Sequence, residues 1–175
     1  MRSNTLRITV WLALIVFTVS NSFALERDIK ADRVKGQVIF SMIKYIQWPE
    51  TKDQLVIGVL TDDIELVKLF QEIAQDRSTA GKKIEIKAFG SMIDAVKSAD
   101  MLFVPTESSS KFESVSALIS HDVLVITEKE GLCKKGSSIN LITVDGKLKF
   151  EINRNALQKS ALKVSSKLTD MGIEV

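Results

Sequence analysis

The segment Leu55-Val-Ile-Gly-Val-Leu60 is an uninterrupted apolar run. Six apolar residues are too few for a typical helix and suit a strand that is covered on both faces, as strands of parallel sheets are. Thr61-Asp62-Asp63 follows, with side chains suited to cap a helix. From Ile64 to about Gln75 the apolar residues then recur at helical spacing. The stretch predicts one strand–helix unit of an α/β fold.

The segment before this unit, Phe40-Ser-Met-Ile-Lys-Tyr-Ile-Gln-Trp-Pro49, closes an amphipathic helix that starts after residue 24. Pro49 has no backbone N–H and biases Trp48 away from helical geometry, so the helix is predicted to end just before them. Phe40 is expected in the core and Trp48 at a partly covered edge. The spacing of the apolar residues predicts that the buried face of the helix consists of Val34, Val38, Ile39, Met42, Ile43 and Ile46.

Further apolar segments after the first strand–helix unit extend the pattern. Strands are predicted at Lys82 to Phe89, Met101 to Val104 and Val123 to Ile126, with helices near Met92 to Lys97 and from Ser108 to about Ile119. The dipeptide Asp145-Gly146 joins two alternating segments and predicts a hairpin. Arg154 to the C-terminus reads as two short helices, the first capped by Asn153. The fold class predicted is a three-layer α/β domain with a mostly parallel sheet and a C-terminal β-hairpin.

The first 24 residues have the layout of a cleaved secretory signal. Arg2 and Arg7 precede the apolar run Ile8 to Val19, and Ser22-Phe23-Ala24 has small residues where a signal peptidase reads. The apolar run is shorter than the roughly 20 residues of a spanning helix. We therefore expect cleavage between Ala24 and Leu25, export to the periplasm, and a single domain over 25–175.

The charge of the mature chain excludes one class of partner. The sequence has 24 Lys+Arg and 22 Asp+Glu, and two arginines leave with the signal, which gives 22 of each sign. A balanced surface has no electrostatic footprint for nucleic acid.

Cys133 is the single cysteine, so it cannot form a disulfide within its own chain, and a partly covered free thiol is expected.

Catalytic groups are scarce. His121 is the only histidine, and nothing in the sequence fixes the geometry of a Cys133/His121 dyad. The S-x-x-K match Ser108 to Lys111 lacks the S-D-N and K-T-G companions of penicillin-recognising enzymes, and helix capping explains the serines. We therefore expect no enzyme, no metal and no cofactor, and a hydrolase would have to depend on His121 or Ser109.

Four acidic residues follow predicted strands or begin the next element: Asp62, Asp63, Glu107 and Glu128. In an open parallel sheet the ligand crevice lies beyond the carboxyl ends of the strands. These acids are therefore a candidate crevice for a hard cation or a basic ligand. The alternative is that the two aspartates cap a helix and the two glutamates are solvated loop charges.

The motifs, taken together, resemble the YfiR-like family of small exported bacterial proteins. The segments that carry the resemblance span the mature chain and are Phe40–Pro49, Val56–Leu60, Gly81–Ile84, Asp100–Val104, Val123–Glu128, Gly136–Asn140, Lys149–Asn153 and Leu162–Leu168. The resemblance implies a periplasmic Rossmann-like domain without catalysis. It also implies inhibition of a membrane diguanylate cyclase, or of a similar sensor kinase, through its periplasmic region. An outer-membrane lipoprotein would relieve that inhibition, and a homodimer is also considered.

Two surfaces are candidates for partner binding. One is the aromatic helix exit with Tyr45 and Trp48, and the other is the outer face of the hairpin with Lys149 and Glu151. The alternative function is a periplasmic small-ligand receptor that uses the acidic crevice.

Overall fold

The computed structural model describes residues 28–48, 53–75, 77–79, 81–116, 123–160 and 162–175. The predicted signal segment and His121 lie outside these ranges. The helices of the described ranges are α1 Ile29–Met42, α2 Ile64–Ala74, α3 Met92–Ser98, α4 Ser109–Glu113, α5 Arg154–Lys159 and α6 Ser166–Met171, with 3-10 turns at Ile43–Tyr45 and Thr106–Ser108. The strands are β1 Ile46–Gln47, β2 Gln54–Leu60, β3 Ser78–Thr79, β4 Lys82–Phe89, β5 Met101–Val104, β6 Leu124–Thr127, β7 Ile139–Val144, β8 Lys147–Ile152, β9 Lys163–Val164 and β10 Ile173–Glu174. No helix in these ranges is long and apolar enough to cross a membrane.

One mixed sheet organises the fold, with the strand order β10-β8-β7-β6-β5-β2-β4-β3. The central strand β2 pairs in parallel with both β4 and β5, so that Ile57 lies opposite Ile86 on one side and Met101 on the other. Strands β5, β6 and β7 continue the parallel arrangement, whereas β7/β8 and β3/β4 are antiparallel. The predicted mostly parallel sheet is confirmed.

The two faces of the sheet carry two separate hydrophobic clusters. On one face Phe70 of α2 is fully buried; its ring stacks on Phe103 of β5 with centroids 5.4 Å apart and meets Phe40 of α1 at 6.1 Å. On the other face Leu102 of β5 packs with Phe112 of α4. Because side chains alternate along a strand, consecutive residues of β5 serve opposite layers, and the predicted three-layer arrangement is confirmed.

The hairpin that joins β7 and β8 forms where the dipeptide predicted it. Asp145 and Gly146 both have positive φ, 53° and 70°, as a two-residue type I′ turn requires. Val144 pairs with Lys147 at the turn and Ile139 with Ile152 at the open end. The C-terminal strand β10, which periodicity did not indicate, pairs in parallel with β8.

The predicted buried face of the N-terminal helix is confirmed at Ile39, Met42, Ile43 and Ile46, and Val38 is partly buried against the core. Val34 is the exception, since it is 49% exposed, and the buried side of α1 also includes Asp32, Gly36 and Phe40. At Gly36 the side chains of α2 come close to the α1 backbone, because a Cβ at this position would lie 2.6 Å from Ile73 Cδ1. A hydropathy count passes over glycine as a packing residue.

The serine cluster begins a helix, as expected, but not by side-chain capping. Ser108 occupies the N-cap of α4 without a side-chain hydrogen bond to the helix. The Ser109 hydroxyl, in a buried residue, donates to the Thr106 carbonyl at 2.6 Å. The helix ends at Glu113, short of the predicted Ile119, and 117–122 lie outside the described ranges.

Candidate functional site

The carboxyl ends of β2, β5 and β6 open into a cavity of about 620 Å³. The four acids predicted for a crevice, Asp62, Asp63, Glu107 and Glu128, all line it. Asp28, Asp32, Lys35 and Lys111 also line it, so that six carboxylates face two ammonium groups. We call this space the acidic cavity.

Two of these carboxylates cap the N-termini of helices. Asp63 caps α2, accepting hydrogen bonds from the backbone N–H of Glu65 at 2.8 Å and of Leu66 at 3.2 Å. Asp28 caps α1 in the same way, with Lys30 and Ala31 as donors at 3.1 Å. The capping alternative therefore holds for Asp63, since its carboxylate satisfies N–H groups that have no partner within the helix.

Asp62 and Glu107 are the solvent-facing acids of the cavity. The Asp62 side chain is 82% exposed, with Oδ2 3.4 Å from Lys111 Nζ. Glu107 is exposed on the 3-10 turn that follows β5. Neither carboxylate caps a described helix, so a ligand at either of them would leave the helix caps intact.

Glu128 is buried and paired, not a solvated loop charge. Its side chain is only 7% exposed, Oε1 accepts from the Thr106 N–H at 2.9 Å, and Oε2 lies 2.7 Å from Lys35 Nζ. The ion pair ties α1 to the end of β6. The expectation of a solvated glutamate was wrong because α1 crosses this end of the sheet and covers it.

Lys35 stands between two acids. Its ammonium contacts Glu128 and lies 3.3 Å from Asp32 Oδ1. Burial by itself lowers the pKa of Lys35, but the hydrogen bond and charge of Glu128, together with Asp32, outweigh this and raise the pKa above its usual 10.5. The lysine is therefore charged at physiological pH. The sequence does not predict the part that Asp32 and Lys35 play in the cavity, because helical periodicity gives no signal that Lys35 meets Glu128 at the end of β6.

The lining of the acidic cavity is mostly carboxylate. Within the described ranges, no three or more His, Cys, Asp or Glu side chains are grouped so as to hold a metal ion. The two ligand classes expected from sequence, a hard cation and a basic ligand, stay predictions.

Cys133 is completely buried, so the expectation of a partly covered thiol was wrong. Burial, followed by the charge of Glu151, raises the pKa of the Cys133 thiol to about 12. The thiol is protonated at neutral pH and has no route to an intermolecular disulfide in the folded chain.

The aromatic helix exit is more buried than expected. Trp48 is 6% exposed and its indole N–H donates to the Ile43 carbonyl at 3.2 Å, so its placement at a partly covered edge was wrong. Strand β1 just before it pairs with β9, and this contact holds the end of the segment against the core. Tyr45 is half-buried and keeps accessible surface. Partner binding through Tyr45 and Trp48 stays a prediction, and the geometry makes Tyr45 the better placed of the two.

The two hairpin residues predicted for partner binding differ in their surroundings. Lys149 is exposed, whereas Glu151 is half-buried and accepts from Asn140 Nδ2 at 2.9 Å. Asn140 Oδ1 is in turn 2.7 Å from Thr127 Oγ1, which lies 2.9 Å from Ser137 Oγ. Glu151 thus closes a buried polar network across β6, β7 and β8. Partner contact by this pair also stays a prediction.

Comparison with known proteins identifies relatives of the whole domain. A family model described as YfiR/HmsC-like (DUF4154) matches residues 32–172. No protein of curated function matches the chain. Among solved structures, this chain is similar to the ABC domain from Streptococcus pneumonia in complex with L-Trp, with a TM-score of 0.58 and 15% sequence identity. The alignment covers 80% of this chain but only 60% of that one, and at this identity the likeness shows a shared Rossmann-like fold alone.

Proposed function

The chain belongs to the YfiR/HmsC-like family, whose members are regulatory proteins rather than enzymes, and we propose that it is a periplasmic inhibitor of an inner-membrane signalling protein. The target is a diguanylate cyclase, or a sensor kinase of similar layout, and inhibition works by protein–protein contact. The observation that carries the proposal is the family match over residues 32–172, which extends from α1 to α6. The secretory layout of residues 1–24 supports export to the compartment where such a target presents its sensor region.

A deletion strain tests this function. Without the protein the cyclase is no longer restrained, so intracellular cyclic di-GMP and biofilm formation are expected to rise. The full chain should restore the wild-type level, while a chain that starts at Leu25 and lacks the export segment should not. Unchanged cyclic di-GMP after deletion, combined with failure to crosslink any membrane cyclase or sensor kinase, would reject the proposal.

Relief of the inhibition is proposed to come from an outer-membrane lipoprotein that competes for this protein. In the same strains, removal of that lipoprotein should lower cyclic di-GMP only when the present protein is intact. This genetic dependence separates relief of inhibition from an independent effect on the cyclase.

A second candidate function, a small-ligand receptor, is favoured by the acidic cavity. Four acids that the sequence placed at separate strand ends and helix starts line one space of about 620 Å³ together with two lysines. A ligand bound there would change the affinity for the signalling partner by stabilising one state of the protein. Amines and amino acids are the first compounds to screen, and L-Trp is included because the similar solved structure was determined with it.

Thermal unfolding with each compound tests the receptor function. At about 100-fold excess over its Kd, a ligand specific to the native state adds about 2.7 kcal/mol, which raises the Tm by roughly 5–10 °C. The variant Asp62→Asn/Glu107→Gln should abolish the shift without unfolding the protein, because neither side chain caps a described helix. A shift retained in that variant, or no shift with any compound, would count against the cavity as a receptor site.

A further inference from the structure

A second open space lies on the two-stranded sheet rather than on the main one. It is a groove of about 650 Å³ lined by residues 44–47, 163–165 and Lys167. Ile46 pairs with Val164, Gln47 pairs with Lys163, and the Ser165 N–H donates to the Tyr45 carbonyl at 2.8 Å. These bonds join the two strands that carry the lining residues and so fix the positions of those residues. We call it the basic groove.

The charge of the basic groove has one sign. Its lining contains Lys44, Lys163 and Lys167 and no acidic residue. All three lysines are exposed, and none forms an ion pair with another residue of the described ranges. The Lys44 ammonium lies 5.0 Å from the centre of the Tyr45 ring, a cation–π contact that leaves its N–H donors available. On a mature chain with balanced charges, this groove is a local cationic site.

The strand edges beside the groove favour a polypeptide over a lipid surface. In the described part of the chain, β1 and β9 pair only with each other, so each strand has one edge without a partner strand, which is where an added strand would pair. An extended segment could use these edges and present carboxylates to the lysines. A planar array of lipid headgroups could reach the ammonium groups but would make no use of the strand edges.

We propose that the basic groove binds an extended acidic segment of the protein that this chain regulates. This proposal rests on the proposed function for the identity of the partner, and it names the chemistry of the contact. Backbone hydrogen bonds along a strand edge provide affinity, while the lysines select glutamate or aspartate and steer the encounter. The half-buried Tyr45 contributes an apolar wall beside the charges.

An octaglutamate peptide is the direct probe. In NMR titrations of residues 25–175, the amide shifts should concentrate at 44–47 and 163–167. Reversal of the three lysines (Lys44→Glu, Lys163→Glu, Lys167→Glu) should weaken binding at least roughly tenfold, and an increase from roughly 20 mM to about 0.3 M salt should weaken it similarly. The control variant reverses the same number of exposed lysines elsewhere: Lys83→Glu, Lys97→Glu and Lys134→Glu.

Two results of the titration would overturn the proposal. One is equal affinity of the groove variant and the control variant for the peptide. The other is lysine-dependent binding to phosphatidylglycerol vesicles without binding to the peptide, which would assign the groove to a membrane surface. Circular dichroism establishes that both variants are folded, and the milder Lys163→Gln/Lys167→Gln protein repeats the test if charge reversal disturbs the fold.

Complementation of the deletion strain separates the two proposals. The groove variant should fail to lower cyclic di-GMP, whereas the control variant should lower it fully. Full complementation by the groove variant would overturn the groove as the contact and leave the regulatory function standing. Unchanged cyclic di-GMP on deletion would instead reject the regulatory function, while the peptide titration still decides whether the groove binds acidic chains.

Discussion

Replacement of Phe70 by alanine is expected to lower the free energy of unfolding by about 3–5 kcal/mol. The ring is fully buried, stacked on Phe103 of β5 and in contact with Phe40 of α1. It therefore joins two helices and the central sheet at one point. Its loss removes apolar burial and leaves a cavity that three rigid elements cannot close.

Urea denaturation followed by circular dichroism measures this effect. Ile64→Ala is the matched control because it truncates an apolar residue of the same helix that is 68% exposed, and it should cost less than about 0.5 kcal/mol. The loss of unfolding free energy caused by Phe70→Leu should lie between the losses caused by Phe70→Ala and Ile64→Ala. A loss below about 1 kcal/mol for Phe70→Ala would show that the helices repack and that the aromatic cluster does not determine their positions.

Substitution of Lys35 by methionine is expected to destabilise the protein by about 1–3 kcal/mol. Methionine keeps most of the volume of the side chain but leaves the Glu128 carboxylate, 7% exposed, facing an uncharged group. The estimate is below that for a fully buried pair because Lys35 itself is 26% exposed and water screens part of the interaction. Since this pair lies in the wall of the acidic cavity, the change should also alter any ligand response.

The pH dependence of this effect has a definite sign. The pKa of Lys35 is raised in the folded chain, so the folded state holds the proton more tightly than the unfolded state does. The stabilisation is therefore fully present below the unfolded value of 10.5 and is lost as the pH rises through the raised pKa. The difference between wild type and Lys35→Met should persist at neutral pH and shrink in the alkaline range.

A double-mutant cycle with Glu128→Gln isolates the pair. The variant Lys35→Met/Glu128→Gln removes both charges of the pair. The side-chain amide oxygen introduced at position 128 can still accept the hydrogen bond from the Thr106 N–H, so the double variant should be more stable than Lys35→Met alone. Lys68→Met serves as the surface control, because Lys68 and Glu65 form an ion pair in which both side chains are mostly exposed, and little change is expected. Additive effects of the Lys35 and Glu128 substitutions would refute the coupling.

Much of the sheet could be predicted because its signals are local. The apolar run at Leu55 to Leu60 can be satisfied only by burial on both faces, and the Asp145-Gly146 turn adopts the positive φ values that a two-residue hairpin needs. The strand-end rule also placed Asp62 and Glu107 near one another, since parallel strands end at the same edge of a sheet.

The features that concern function most depended on contacts between distant segments. Lys35 meets Glu128 because α1 crosses the end of β6, and Trp48 is buried because β1 pairs with β9. The basic groove has the same origin, since Lys44 and Lys163 come from opposite ends of the domain. Periodicity and turn chemistry report on neighbours along the chain, whereas charge pairing, burial of a single side chain and the shape of a groove depend on which segments meet. Local patterns in the chain therefore predict the strands, the turn and the class of fold. The pairing of Lys35 with Glu128, the burial of Trp48 and the position of the basic groove follow only from the way distant segments meet in the folded chain.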